Sequence, residues 1–199
     1  MRAISRLILV LAIGCAFGQC STNQPYPEDW SPPVAVRGGE CADISGEFSN
    51  ACSSDNLYED NCLNTGGLAG LLFAKYAGSF TSKLREVDRV VVYQPSSSQL
   101  LVEAWNGKEL VRKEEIHVGA EECTEDGILV RSGGKGTQIE GGLGVGSSRA
   151  VLSKNEDGDL IARLKVSFTG VWFIVPVSGS DYSWCRFERF SSRETEEIH

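Results

Sequence analysis

Cys15 is the residue whose neighbours most clearly specify a reaction. It follows Ala12-Ile13-Gly14 at the end of an apolar run over residues 7–13, with Arg2 and Arg6 ahead of that run. A cysteine after a small residue at the close of a short apolar core is what lipoprotein processing recognises: the thiol takes a lipid and the preceding peptide is removed. Residues 1–14 are therefore read as a signal peptide and Cys15 as the lipidated first residue of the mature chain. Ordinary secretion, with cleavage after Ala16-Phe17-Gly18, is the competing reading. The apolar run falls short of the roughly 20 residues a spanning helix needs. An aspartate after the lipidated cysteine is the usual inner-membrane retention signal; Ala16 stands there instead, which points to the periplasmic face of the outer membrane.

The other candidates for chemistry are sparse. Six further cysteines, Cys20, Cys41, Cys52, Cys62, Cys123 and Cys185, make an even set in an exported chain, which predicts disulfides. Cys52 with Cys62 would close a local loop, Cys123 with Cys41 or Cys185 a long one, and Cys20 falls in the segment before the domain. No Cys-x-x-Cys occurs and the histidines are His117 and His199, so no metal site is expected. His117 is the one realistic general base, but no Gly-x-Ser-x-Gly elbow accompanies it, and it is read as an exposed strand residue. Asp157 and Asp159 lie in a turn, where acids serve geometry. Residues 141–146 are glycine-rich yet lead to Ser147-Ser148 rather than the Lys-Ser/Thr of a phosphate loop. No catalytic residue and no cofactor is predicted, and the chain is read as non-enzymatic.

Charge narrows the partners. Loss of Arg2 and Arg6 with the signal leaves 17 basic against 27 acidic side chains, taking the formal net charge from −8 to −10. Such a chain repels phosphate backbones and anionic headgroups, which excludes nucleic acid and leaves membrane attachment to acyl chains on Cys15. A basic protein partner fits the same charge.

These residues must be positioned by a domain of residues 41–190, set between a lipidated, proline-rich tether over 15–40 and a polar tail over 191–199. Pro25, Pro27, Pro32 and Pro33 favour an extended tether, with Trp30 as an anchor that could dock on the domain. One short helix is expected over 66–76, capped by Thr65. The rest reads as strands joined by turns: 87–94 and 99–105 across Pro95-Ser96-Ser97-Ser98, then 108–118 across an Asn106-Gly107 type I′ turn. Turns at Glu125-Asp126-Gly127, Glu156-Asp157-Gly158-Asp159 and Ser178-Gly179-Ser180-Asp181 separate strands over 128–131, 149–154, 160–168, 171–177 and 182–190. Residues 132–148 are read as a long flexible loop. The fold class is mainly β: an antiparallel up-and-down meander of about eight strands, a small barrel or a curled sheet, with one short helix.

Aromatic residues gather near its end. Trp172, Tyr182 and Trp184, with Trp105 on an earlier strand, form a candidate binding surface, either an interface or the lining of a small apolar cavity, against a plain packing role. At Tyr26-Pro27-Glu28-Asp29-Trp30 and Cys41-Ala42-Asp43-Ile44-Ser45-Gly46-Glu47-Phe48 the chain resembles small outer-membrane lipoproteins of gamma-proteobacteria, which have a Tyr-Pro-x-x-Trp spacer and a Cys-x-Asp-Leu-Ser-Gly-x-Tyr opening. That resemblance implies a location and brings no activity. Ser178-Gly179-Ser180-Asp181-Tyr182 is similar, with a shorter spacing, to the Ser-Gly-x-x-x-Tyr loop of the periplasmic inhibitors of c-type lysozyme, although their downstream Tyr…Thr-Lys-Gly segment is missing. The implication of that likeness is an inhibitor acting on a basic enzyme.

Overall fold

The computed structural model describes residues 20–36, 41–53, 66–73, 84, 86–139, 142–172 and 175–190. Along these, the strands are β1 (Cys20–Asn23), β2 (Gly46–Ser49), β3 (Arg89–Ser96), β4 (Gln99–Asn106), β5 (Glu109–His117), β6 (Cys123–Thr124), β7 (Gly127–Ile139), β8 (Gly142–Lys154), β9 (Leu160–Trp172) and β10 (Val175–Phe187). One helix, α1 (Gly67–Phe73), lies between β2 and β3. The mainly β class is as expected. The strands form two meanders rather than one: a four-stranded sheet ordered β2-β3-β4-β5 and a six-stranded sheet ordered β1-β10-β9-β8-β7-β6. Neither closes into a barrel, and the chain changes sheet at the 3-10 turn Ala120–Glu122. All pairings are antiparallel except that of β1, which lies parallel to β10.

Alternation explains the four-stranded sheet. Val90 and Val92 on β3, Leu100, Val102 and Ala104 on β4 and Ile116 on β5 are buried, while their neighbours in sequence face outward. The inward face meets α1, all of whose residues are buried, and the inward residues Leu152, Leu160, Ala162, Leu164, Cys185 and Phe187 of the larger sheet. The hairpin predicted at Asn106-Gly107 is present one residue later. Asn106 pairs with Glu109, and Val111 is passed over where the register shifts from Ala104–Arg112 to Trp105–Leu110. Asp88 accepts the Gly107 N–H at 2.8 Å, and Arg89 donates to the Gly107 carbonyl at 3.2 Å, so the end of β3 fixes the turn.

The start of α1 is held from outside the helix. Asn50 is buried: its carbonyl accepts the Leu68 N–H at 3.2 Å, its Oδ1 the Ala69 N–H at 2.8 Å, and its Nδ2 donates to the Val87 carbonyl at 3.0 Å. Gly67, at φ +71°, passes so close to Asn50 that a Cβ would lie 2.2 Å from its carbonyl oxygen. Thr65, expected as the cap, is outside the described residues.

Two expectations about the larger sheet are corrected. Residues 132–139 and 142–148 are not loop but the paired ends of β7 and β8, in register from Lys135–Gly146 to Ile139–Gly142 after a shift beyond Ser132–Ser148. Backbone hydrogen bonding needs no side chain, so a glycine-rich run can pair wherever a neighbouring hairpin offers an edge. Likewise the strands expected over 171–177 and 182–190, with a turn at Ser178-Gly179-Ser180-Asp181, are replaced by one uninterrupted β10. Ser178 pairs with Thr169 and Asp181 with Val166, and the reversal falls between Trp172 and Val175, which face each other.

The disulfide Cys41–Cys123, one of the two long pairings considered, ties the lead-in to β2 to the start of β6 with Cα atoms 4.9 Å apart. It joins the two meanders across a sequence separation of 82, for which the chain-entropy account gives about 4 kcal/mol. Cys185, fully buried on β10, is disulfide-bonded as well. Cys62 and residues 191–199 lie outside the described residues, and Cys52 is half-buried just after β2.

The proline-rich segment lies on the domain as far as residue 36. After β1 it crosses the outer face of the larger sheet as a strap: Val34 N–H donates to the Lys154 carbonyl at 2.8 Å, Glu156 N–H to the Pro32 carbonyl at 3.2 Å, and Pro33 bridges Asn155. Trp30, only 4% exposed, docks as its anchor.

Candidate functional site

The outer face of the larger sheet carries the side chains of interest. Directly opposed residues share a face, and β9 and β10 set Arg163 against Trp184, Lys165 against Tyr182, and Ile161 against Arg186. Each aromatic ring here has a cation over it. The Arg186 guanidinium lies 5.2 Å from the Trp30 centroid, that of Arg163 5.8 Å from Trp184, and the Lys165 ammonium 5.0 Å from Tyr182. These distances are within the range of cation–π attraction. Tyr26 joins the cluster edge-on, 5.0 Å from Trp184 and 6.0 Å from Trp30, and its hydroxyl donates to the Ser31 carbonyl at 2.6 Å. Trp184 Nε1 donates to the Gln24 carbonyl at 3.1 Å, and Ser31 Oγ donates to Asp157. Burial within the strap raises the Tyr26 hydroxyl pKa above its ordinary value; Arg186 opposes this and nearby carboxylates add to it.

Of the four aromatics singled out by sequence, two are brought together. Tyr182 and Trp184 lie on this face, but their immediate company is the strap. Trp105 belongs to the other sheet, where Arg89 lies 5.2 Å over its ring and its buried indole N–H makes no hydrogen bond. Trp172 pairs through its backbone with Gly142 and Val175 at the far end of β9.

A feature missed by residue-by-residue reading lies one row further out. Arg131 pairs with Arg149, Arg149 with Lys165, and Lys165 with Tyr182, which is itself opposite Asn23 of β1. Three cations thus stand abreast on adjacent strands, at the strand spacing of about 4.8 Å. Among the described residues no carboxylate pairs with them; Arg163 in the neighbouring row is the one that meets an acid, Asp126, at 3.1 Å. Like charges directly opposite destabilise a sheet by some tenths of a kcal/mol per pair. The strands β7 to β10 carry seven basic residues, Arg131, Lys135, Arg149, Lys154, Arg163, Lys165 and Arg186, against one acid, Asp181. Acid therefore outweighs base over the rest of the chain taken together, in a protein of net charge −8.

Other candidates resolve into structure. His117 is exposed at the end of β5 with Glu115 at 3.4 Å. Asp159 accepts the Arg189 N–H at 2.9 Å and donates its own N–H to Asn155 Oδ1 at 2.8 Å, so the turn acids hold the β8–β9 connection. Among the described residues no group of three or more His, Cys, Asp or Glu side chains could hold a metal ion, and no helix is long and apolar enough to cross a membrane. A cavity of about 340 Å³ opens beside the strap, lined by residues 34–36 and 41–43 with Lys154 and Asn155, and holds no aromatic side chain. At its rim burial works against the Asp43 carboxylate, but hydrogen bonds from Ser45 and the Lys154 ammonium at 3.3 Å outweigh this and lower its pKa.

Compared with known proteins, the chain matches no protein family, no curated protein and no solved structure. What remains is a class defined by fold and surface: a two-sheet antiparallel β protein with a basic outer face and an N-terminal strap.

Proposed function

We propose that this protein is a non-enzymatic, lipid-anchored binding protein at the periplasmic face of the outer membrane, with the uncovered half of its larger sheet as the interaction surface. The observation that carries the reading is how differently that sheet is covered along its length. Its inner residues pack on α1 and the smaller sheet and its outer face bears the strap, yet from Lys165 to Val171 no residue of β9 is buried, and Val145, Val166 and Val171 are exposed. Val145 and Val171 share the outer face of the paired strands, a surface that a partner can cover, while Val166 is on the other face. The anchor reading draws on Cys15, five residues ahead of β1. A basic protein partner, as in the inhibitor reading, is favoured by the net charge of −8.

The anchor is tested by Cys15→Ser followed by cell fractionation. The variant should appear in the soluble periplasmic fraction or accumulate unprocessed. Processing with retention in the outer membrane, as for wild type, would remove the basis for an acyl anchor.

A further inference from the structure

We infer that the cationic row Arg131–Arg149–Lys165 is a docking surface for the anionic phospholipid headgroups of the bilayer in which the chain is anchored. This rests on the anchor reading for its geometry and goes beyond it by assigning the sheet's own side chains to the membrane.

Three observations converge. The row places three cations side by side in register without an acidic partner among the described residues, in a chain of net charge −8. A sheet gains nothing from such an arrangement, whereas a plane of phosphate groups presents the complementary charge at similar spacing. Next, β1 brings the N-terminus to the same place. Cys20 pairs with Gly179 and Asn23 with Tyr182, the residue that ends the row. Because β1 is parallel to β10, its Cys20 end points toward Val175 and the far end of the sheet. Cys15 is then within about 17 Å of Cys20, the reach of five extended residues. An acyl chain there holds the bilayer surface within reach of the row. Finally, Val145 and Val171 are exposed on the same face as the row, being displaced from Arg149 and Lys165 by even numbers of residues along their strands. The face thus grades from cationic near the strap to uncharged toward the end, where small polar residues stand with the two exposed valines, in keeping with a surface that meets headgroups through its cationic row. Net charge alone gave the opposite expectation, that this chain repels anionic headgroups; the register concentrates the bases on one sheet and reverses it locally.

The test uses the mature chain from residue 15 onward, made with serine at that position so that no acyl group contributes. Co-sedimentation is measured with phosphatidylglycerol-containing vesicles, with neutral phosphatidylcholine vesicles, and with polyglutamate as soluble competitor. Wild type should bind the anionic vesicles, lose binding at high salt and ignore the neutral ones. R131Q/R149Q/K165Q should weaken binding on the order of a hundredfold and each single substitution about fivefold. K113Q, on the other sheet, should leave it unchanged. Removing like charges should keep or raise Tm, which separates lost docking from lost folding. Equal binding by the triple variant, or equal binding to neutral vesicles, overturns the proposal. Displacement by polyglutamate at matched charge overturns it in favour of an acidic peptide. Failure of the anchor reading is seen separately, in unchanged fractionation of Cys15→Ser.

Discussion

The two ends of the larger sheet are made of the same four long strands and are stabilised in opposite ways. Near the β8–β9 turn the inner residues Leu152, Leu160, Ala162 and Phe187 are buried in the common core, and Ile161 is buried beneath the strap on the outer face. Toward the β9–β10 turn the strands keep their register from Val166–Asp181 to Trp172–Val175, but glycine, serine and threonine dominate and burial ends. One end is a layered core; at the other the backbone ladder continues and the described side chains are exposed or half-buried. A strand therefore needs a packed face to be stable, but it needs only a hairpin neighbour to be a strand.

Substitutions should separate the two ends sharply. Phe187→Ala, in the core, should cost about 4 kcal/mol in denaturant unfolding, and Val145→Thr, in the uncovered half, under about 0.5 kcal/mol. Comparable costs would mean that the outer half is packed after all. The strap gives the next largest effect: Trp30→Ala removes the ring beneath Arg186 and the edge contact with Tyr26, and should cost about 3 kcal/mol while changing Trp184 fluorescence. Loss of stability with unaltered Trp184 emission would disconnect the strap from that ring. Smallest is a pH effect. The Tyr26 pKa is raised on folding, so the stability held in its neutral hydroxyl is complete below about pH 10 and lost as pH rises through the folded value. Alkaline titration should show stability falling there in wild type and less so in Tyr26→Phe; identical profiles would take Tyr26 out of the linkage.

The sequence was readable where local chemistry dictated shape. Asp157-Gly158 names its turn, with Gly158 at φ +85°, and with that turn placed, Arg149 must face Lys165. The strap was readable only in part: Trp30 could be named as an anchor, but proline content masks a segment fixed by two aromatic rings and a few backbone bonds. The β9–β10 reversal was hidden because Ser178-Gly179-Ser180-Asp181 has turn chemistry inside a strand, whereas the true reversal lies between apolar Trp172 and Val175. Residues 132–148 lack the apolar alternation that marks a half-buried strand, so no strand signal stood in their sequence. The division into two sheets depended on contacts across 82 residues, as at Cys41–Cys123, which no local pattern encodes. The basic row, the centre of the proposed docking face, appears only when two registers, β7–β8 and β8–β9, are known together.

The parallel seating of β1 also has a mechanical side. Tension applied to the chain ahead of Cys20, as the proposed acyl anchor would transmit it, would pull Cys20 along the axis of β10 and load the pairing from Cys20–Gly179 to Asn23–Tyr182 in shear, its bonds sharing the force together. Beyond them the load passes to the strap and Trp30 before it reaches β2. The attachment is thus a lap joint backed by a clamp, and the sandwich core behind it is shielded from the pull.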